Sequence, residues 1–167
     1  VAIDCAHCIL TQGLAFIGKL DDGAYSRAQP PMGAIGGHIR HIIDHFNALR
    51  RGATGGWIDY EARERGGLCE HSRPAAQEAL EQLLQWLDEL DPEDLQRPVT
   101  LQLDMGVGAP RLLSIPSCLE RELVFVTSHA IHHYALMAAI ARRCDHPVPQ
   151  GFGKAPSTLN YEGAAQA

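Results

Sequence analysis

The chain has 167 residues, enough for one domain that buries a real core without covalent staples. Its 46% hydrophobic and 20% charged residues are those of a globular protein, and its net charge of −6, with Lys and Arg scattered, excludes a basic nucleic-acid-binding stripe. No uninterrupted apolar run nears the roughly 20 residues that span a bilayer, and no basic-then-apolar leader opens the sequence. The expectations are no nucleic acid, no membrane and a cytoplasmic location.

The first predicted helix runs from about Ile3 to Leu20, with Ile3, Leu10, Leu14 and Ile17 at helical spacing, and stops at "DDG". It contains Cys5 and Cys8, but no second CxxC completes a zinc site and no strand precedes the pair. These two thiols, like Cys69, Cys118 and Cys144, read as small hydrophobes. The second helix, "MGAIGGHIRHIIDHFNALRRG", carries Ile35, Ile39, Ile42, Phe46 and Leu49 at steps of three and four, and "GATGG" is expected to end it. "WIDYEARERGGLCEH" has weak periodicity and reads as irregular. The third helix opens at "SRP", with Ser72 as cap and Pro74 in the first turn, and has the stripe Ala76, Leu80, Leu83, Leu87, Leu90. Alternation of Val99, Leu101, Leu103 and Met105 before a Gly-rich centre predicts a small hairpin. A fourth helix begins after Pro116, with Ser117 and Glu120 placed as a capping box, and runs to about Arg143. The Pro- and Gly-punctuated tail, from about residue 147, is expected to wrap or fray without adding an element. These features predict an all-α four-helix bundle with a β-hairpin inserted between helices three and four, as one domain over residues 1–167.

Seven of the nine histidines fall on helices two and four or beside their ends. "SHAIHHYALM" puts His129 and His133 four apart, on one helix face, within an inward stripe of Val126, His129, His133, Leu136 and Ile140. His132 is rotated toward the margin. Two imidazoles at that spacing are a standard way for one helix to give two ligands to one metal. "GGHIRHIIDHF" adds His38, His41 and His45, and a bundle places cofactor sites between facing helices. One imidazole from helix two would complete a three-histidine site with open positions, suited to zinc, nickel or iron. Periodicity does not rank the three. His41 points well off the helix-two stripe, and His38 or His45 lies closer.

"AIGGHIRHIIDHF" followed by "SHAIHHYALMAAI", on a four-helix chain of this size, resembles the DinB/YfiT-like superfamily of metal-binding helical bundles. Matched residue by residue, the resemblance puts Ile35 and Gly36 at the family's Ile-Gly positions, His41 at the helix-two ligand, and His129 and His133 at the paired ligands. His45 and His38 are then second choices, or belong to the pocket wall. Ala34 departs from a common serine, Gly37 from a larger residue, and Tyr134–Ala135 from Arg-Gly. The resemblance implies a metal-dependent enzyme acting on a small-molecule substrate, either a hydrolase or a thiol S-transferase using a low-molecular-weight thiol. It also implies a homodimer as an oligomeric option.

No Glu stands inside the histidine pair, so the metalloprotease arrangement is excluded. Asp44, one turn beyond His41, is a candidate to orient an imidazole. Tyr60, Arg63 and Arg65 are candidates for the pocket mouth, the arginines suited to a carboxylate. The competing readings are a non-catalytic metal or small-ligand bundle, and an interaction module with no metal.

Overall fold

A computed structural model describes residues 1–62 and 66–164. The elements in chain order are α1 (Ala2–Ile17), α2 (Asp22–Ser26), α3 (Ile35–Gly55), β1 (Trp57–Asp59), α4 (Leu68–His71), α5 (Arg73–Glu89), a 3-10 turn (Pro92–Gln96), β2 (Pro98–Asp104), β3 (Leu112–Cys118), α6 (Leu119–Arg143) and α7 (Pro156–Ala164).

The long helices α1, α3, α5 and α6 form the four-helix bundle, with the hairpin between α5 and α6 as the alternation predicts. β2 and β3 pair antiparallel from Pro98↔Cys118 to Asp104↔Leu112. The start of α5 is written in its local chemistry. Ser72 accepts from the Ala75 amide, proline sits in the first turn, and Ala76, Leu80, Leu83 and Leu87 are buried.

Elsewhere long-range packing overrides local signals. α3 continues through "GATG" and stops only at Gly56, which takes a left-handed conformation (φ 78°). The glycine at 52 serves packing: a Cβ there would lie 2.2 Å from Ile58 Cγ1, and Ile58 is fully buried. Its strand β1, expected to be irregular, pairs parallel to β2 with Trp57 against Thr100, a contact no local pattern announces. The capping box on α6 does not form. Ser117 and Pro116 belong to β3, Cys118 occupies the N-cap position without a side-chain hydrogen bond, and the Ser117 hydroxyl donates to Glu122 instead.

The buried face of α6 keeps the two ends of the predicted stripe, Val126 and Ile140, but is displaced from its middle. Leu123, Ala130, Tyr134, Met137 and Ala141 face the core, while His129, His133 and Leu136 are half-buried at its margin. Small alanines give this face little hydropathy contrast, and Tyr134 is pulled inward because its hydroxyl donates to the Ile9 carbonyl of α1 at 3.0 Å. By length and composition α6 could cross a membrane, yet its apolar face is spent on the bundle core. The tail, expected to add no element, forms α7. It is tied down by Phe152, which stacks on Phe16 and Tyr134 at centroid distances of 4.3 and 4.7 Å.

Candidate metal centre

α3 and α6 pack side by side, and their facing margins bring five histidines into one cluster. From α3 come His38, His41 and His45, one turn apart. From α6 come His129 and His133. His132 lies on the exposed side of α6, although its ring edge approaches His133.

The hydrogen-bond chain determines which nitrogens carry lone pairs. A carbonyl can only accept, so His38 donates from Nε2 to the Met32 carbonyl at 2.9 Å, leaving its Nδ1 as acceptor. His133 Nδ1, 2.8 Å away, must then be the donor, and the lone pair of His133 resides on Nε2. That Nε2 lies 3.2 Å from His129 Nε2, which in turn lies 2.9 Å from His41 Nε2. Nitrogens held about 2.05 Å from one tetrahedral ion stand about 3.3 Å apart, so these spacings are close to those of ligands sharing a metal. The three rings are mutually edge-on, with interplanar angles of 64°, 61° and 69° and centroids 4.6 to 5.0 Å apart.

His45 is arranged differently. It is buried, donates from Nδ1 to the His41 carbonyl at 3.0 Å, and stacks between Tyr60 (11°) and His129 (27°). Its ring nitrogen is nevertheless near enough to count: one ligand atom each from His41, His45 and His129 all lie within 4.8 Å of one another. His41 and His129 are therefore common to both three-histidine sets, and the third place is contested by His133 and His45.

Burial, and then the neighbouring His129, His41, His38 and His132, push the His133 pKa down to about 3; burial also lowers that of His38. Both imidazoles are neutral near pH 7, as metal ligation requires. Because the unfolded chain takes up this proton near pH 6.5 and the folded chain does not, His133 contributes stability that is present above pH 6.5 and is lost as the pH falls toward 3. Protein treated with a chelator is expected to show its urea midpoint falling between pH 6.5 and 4, with a shallower fall in His133→Phe. An identical pH dependence in the two would contradict this assignment.

The other candidates occupy distinct places. Asp44 accepts from Arg40 at 2.6 Å. Tyr60 sits at the inner wall of the cluster, buried against His45 and away from any mouth, with its hydroxyl donating to Glu122 at 2.9 Å. Burial, and then the Glu122 carboxylate, raise its phenol well above the ordinary value. Arg63 and Arg65 lie outside the described residues. Two participants were not singled out from sequence. Glu122, fully buried, accepts from Tyr60, Ser117 and Arg121, and Phe125 stacks on His129. Only the i, i+3 relation of Glu122 to Phe125 and the i, i+7 relation to His129, on one helix face, could have pointed to them.

On the solvent side the cluster opens into a shallow cavity of about 330 Å³. It is lined by Met32, Gly33, Ala34, Gly37, His38, Arg40, His41, Glu70 and His133.

The model of the DinB superfamily matches residues 11–137, a span that contains all five clustered histidines. The chain is similar to FK506-binding protein 5 of Rhizopus delemar, with 33% identity over 104 residues; the match covers 62% of this chain and 27% of that protein. This chain thus spans about a quarter of that relative's length. Among solved structures, the DinB-like protein YjoA of Bacillus subtilis superposes with a TM-score of 0.62 at 14% identity, covering 88% of this chain and 94% of that one. YfiT of Bacillus subtilis, described as "a probable metal-dependent hydrolase with an unusual four-helix bundle topology", superposes with a TM-score of 0.58 at 14% identity, covering 87% of each chain. At this identity the two structures establish the shared fold.

Proposed function

This chain belongs to the DinB superfamily, and from that premise we propose that it is a divalent-metal-dependent enzyme acting on a small molecule, as a hydrolase or a thiol S-transferase. His41, His129 and His133 hold the ion, which is zinc, nickel or iron. The observation that carries this reading is the meeting of three Nε2 atoms, 2.9 and 3.2 Å apart, with the tautomer of His133 set through His38.

A bound divalent cation supplies Lewis acidity, polarising an oxygen or sulfur donor of the substrate. The chain's own residues do the rest. The Met32 carbonyl and His38 orient His133, as outer hydrogen-bond partners orient metal-ligating imidazoles. Tyr60, buried against His45, walls the inner side and keeps water from that face, while Phe125, itself exposed, stacks on His129. The cavity between Gly37 and His133 admits the substrate from solvent.

The test is turnover by protein loaded in turn with zinc, nickel and iron. The substrates are p-nitrophenyl acetate for hydrolysis, and monochlorobimane with 2-mercaptoethanol for thiol transfer. The expected result is metal-dependent turnover of one of them, lost on chelation. Stoichiometric metal with neither reaction above background would instead favour a non-catalytic metal-binding bundle.

A further inference from the structure

The cavity beside the histidines contains a carboxylate that the metal reading does not use. Glu70 lies on α4, whose position over the first turn of α3 is dictated by glycine. A Cβ at Gly36 would come within 2.1 Å of the Glu70 carbonyl oxygen and 2.7 Å of Tyr25 Cε1, so only glycine allows this approach. The Tyr25 hydroxyl donates to the Cys69 carbonyl at 2.5 Å and grips the same backbone from the other side. At the next residue, Gly37, a Cβ would stand 3.9 Å from Glu70 Oε1, and any longer side chain would reach into the carboxylate.

The two oxygens of Glu70 are in different situations. Oε2 is ion-paired with Arg40 Nε at 3.0 Å, out of line for a hydrogen bond, while Arg40 Nη1 is committed to Asp44 at 2.6 Å. Among the described residues nothing donates to Oε1, and the Glu70 side chain is 30% exposed in the cavity wall. The Glu70 carboxylate thus presents an oxygen to the cavity that no described donor engages.

We propose that Glu70 is a substrate-binding residue, and that it selects small molecules carrying a protonated amino group, which its Oε1 receives while the other end reaches the histidines. The inference rests on the function proposed above and names its substrate class. An ammonium is favoured there because Glu70 Oε1 already faces the cavity, whereas a carboxylate would meet the like charge of Glu70 and would have to draw Arg40 away from it.

The experiment uses the full chain incubated with cobalt. Metal content is measured first, and binding of three thiols of similar size is then followed by calorimetry at low salt: cysteamine, 2-mercaptoethanol and 3-mercaptopropionate. Cysteamine, whose amine is protonated at pH 7, is expected to bind about fivefold more tightly than the neutral thiol, and the carboxylate thiol more weakly than either. Glu70→Gln should bring cysteamine and 2-mercaptoethanol within about twofold of each other, and Glu70→Lys should invert the order. Raising the salt should erode the preference. No preference for cysteamine in the wild type, including no binding of any of the three, overturns the proposal, as does a preference that survives Glu70→Gln. Failure of the metal reading would show separately, as protein that takes up no cobalt.

Discussion

Replacing His129 with alanine is expected to reduce bound metal from one ion per chain to below about a tenth, and to weaken affinity at least 100-fold. The basis is geometric: His129 Nε2 is the shared neighbour of His41 and His133, 2.9 and 3.2 Å away, and it also belongs to the set formed with His45. Loss of an outer partner alone typically costs 10–100-fold in affinity, so loss of a ligand should cost at least the top of that range. The apo protein should melt within a few degrees of the wild type, because His129 is half-buried at the margin of the core. Dialysis against zinc followed by elemental analysis, with circular dichroism as the folding control, reads both effects. The same assay ranks the third ligand: His133→Ala should lose the ion, whereas His45→Phe, which keeps a ring between Tyr60 and His129, should retain it. The opposite pattern would move the third ligand to His45.

The largest effect on stability is expected at Gly36. In Gly36→Ala the added methyl meets the Glu70 carbonyl oxygen at 2.1 Å, a backbone atom that cannot swing aside, so α4 must retreat. Overpacking of this kind costs up to about 3 kcal/mol, which for a chain of this length corresponds to a fall in Tm of about 6–12 °C. Gly55→Ala is the matched control. It lies in the last turn of the same helix with nothing within 4 Å of its Cβ, and it should be neutral or stabilising by up to about 1 kcal/mol. Equal melting temperatures for the two variants would remove the argument that Gly36 sets the position of α4 and hence of Glu70.

The sequence announces what is periodic or local. Ser72 and Pro74 start α5, alternating residues form the hairpin, and histidines spaced by three and four on two helices bring imidazoles together between those helices. What depends on distant atoms was not legible. The glycines of "GATG" look like a break and are helical, because Gly52 makes room for Ile58. Between Val126 and Ile140, which are buried as their spacing predicts, the inward face of α6 follows Ala130, Tyr134, Met137 and Ala138 rather than the two histidines and Leu136. Glu70 belongs to a four-residue helix with no periodic signal, and nothing in "LCEH" indicates that it will stand over "IGGH". Choosing among His38, His41 and His45 required family resemblance, because all three project toward α6 and differ mainly in the partners of their second nitrogens.

Anomalous diffraction from crystals of zinc-loaded protein, collected on both sides of the metal absorption edge, tests the proposed metal centre most directly. The expected result is a single strong anomalous peak about 2.0–2.1 Å from the Nε2 atoms of His41, His129 and His133. No peak between α3 and α6 in stoichiometrically loaded protein, or a peak bound by His45 with His133 turned away, would contradict it.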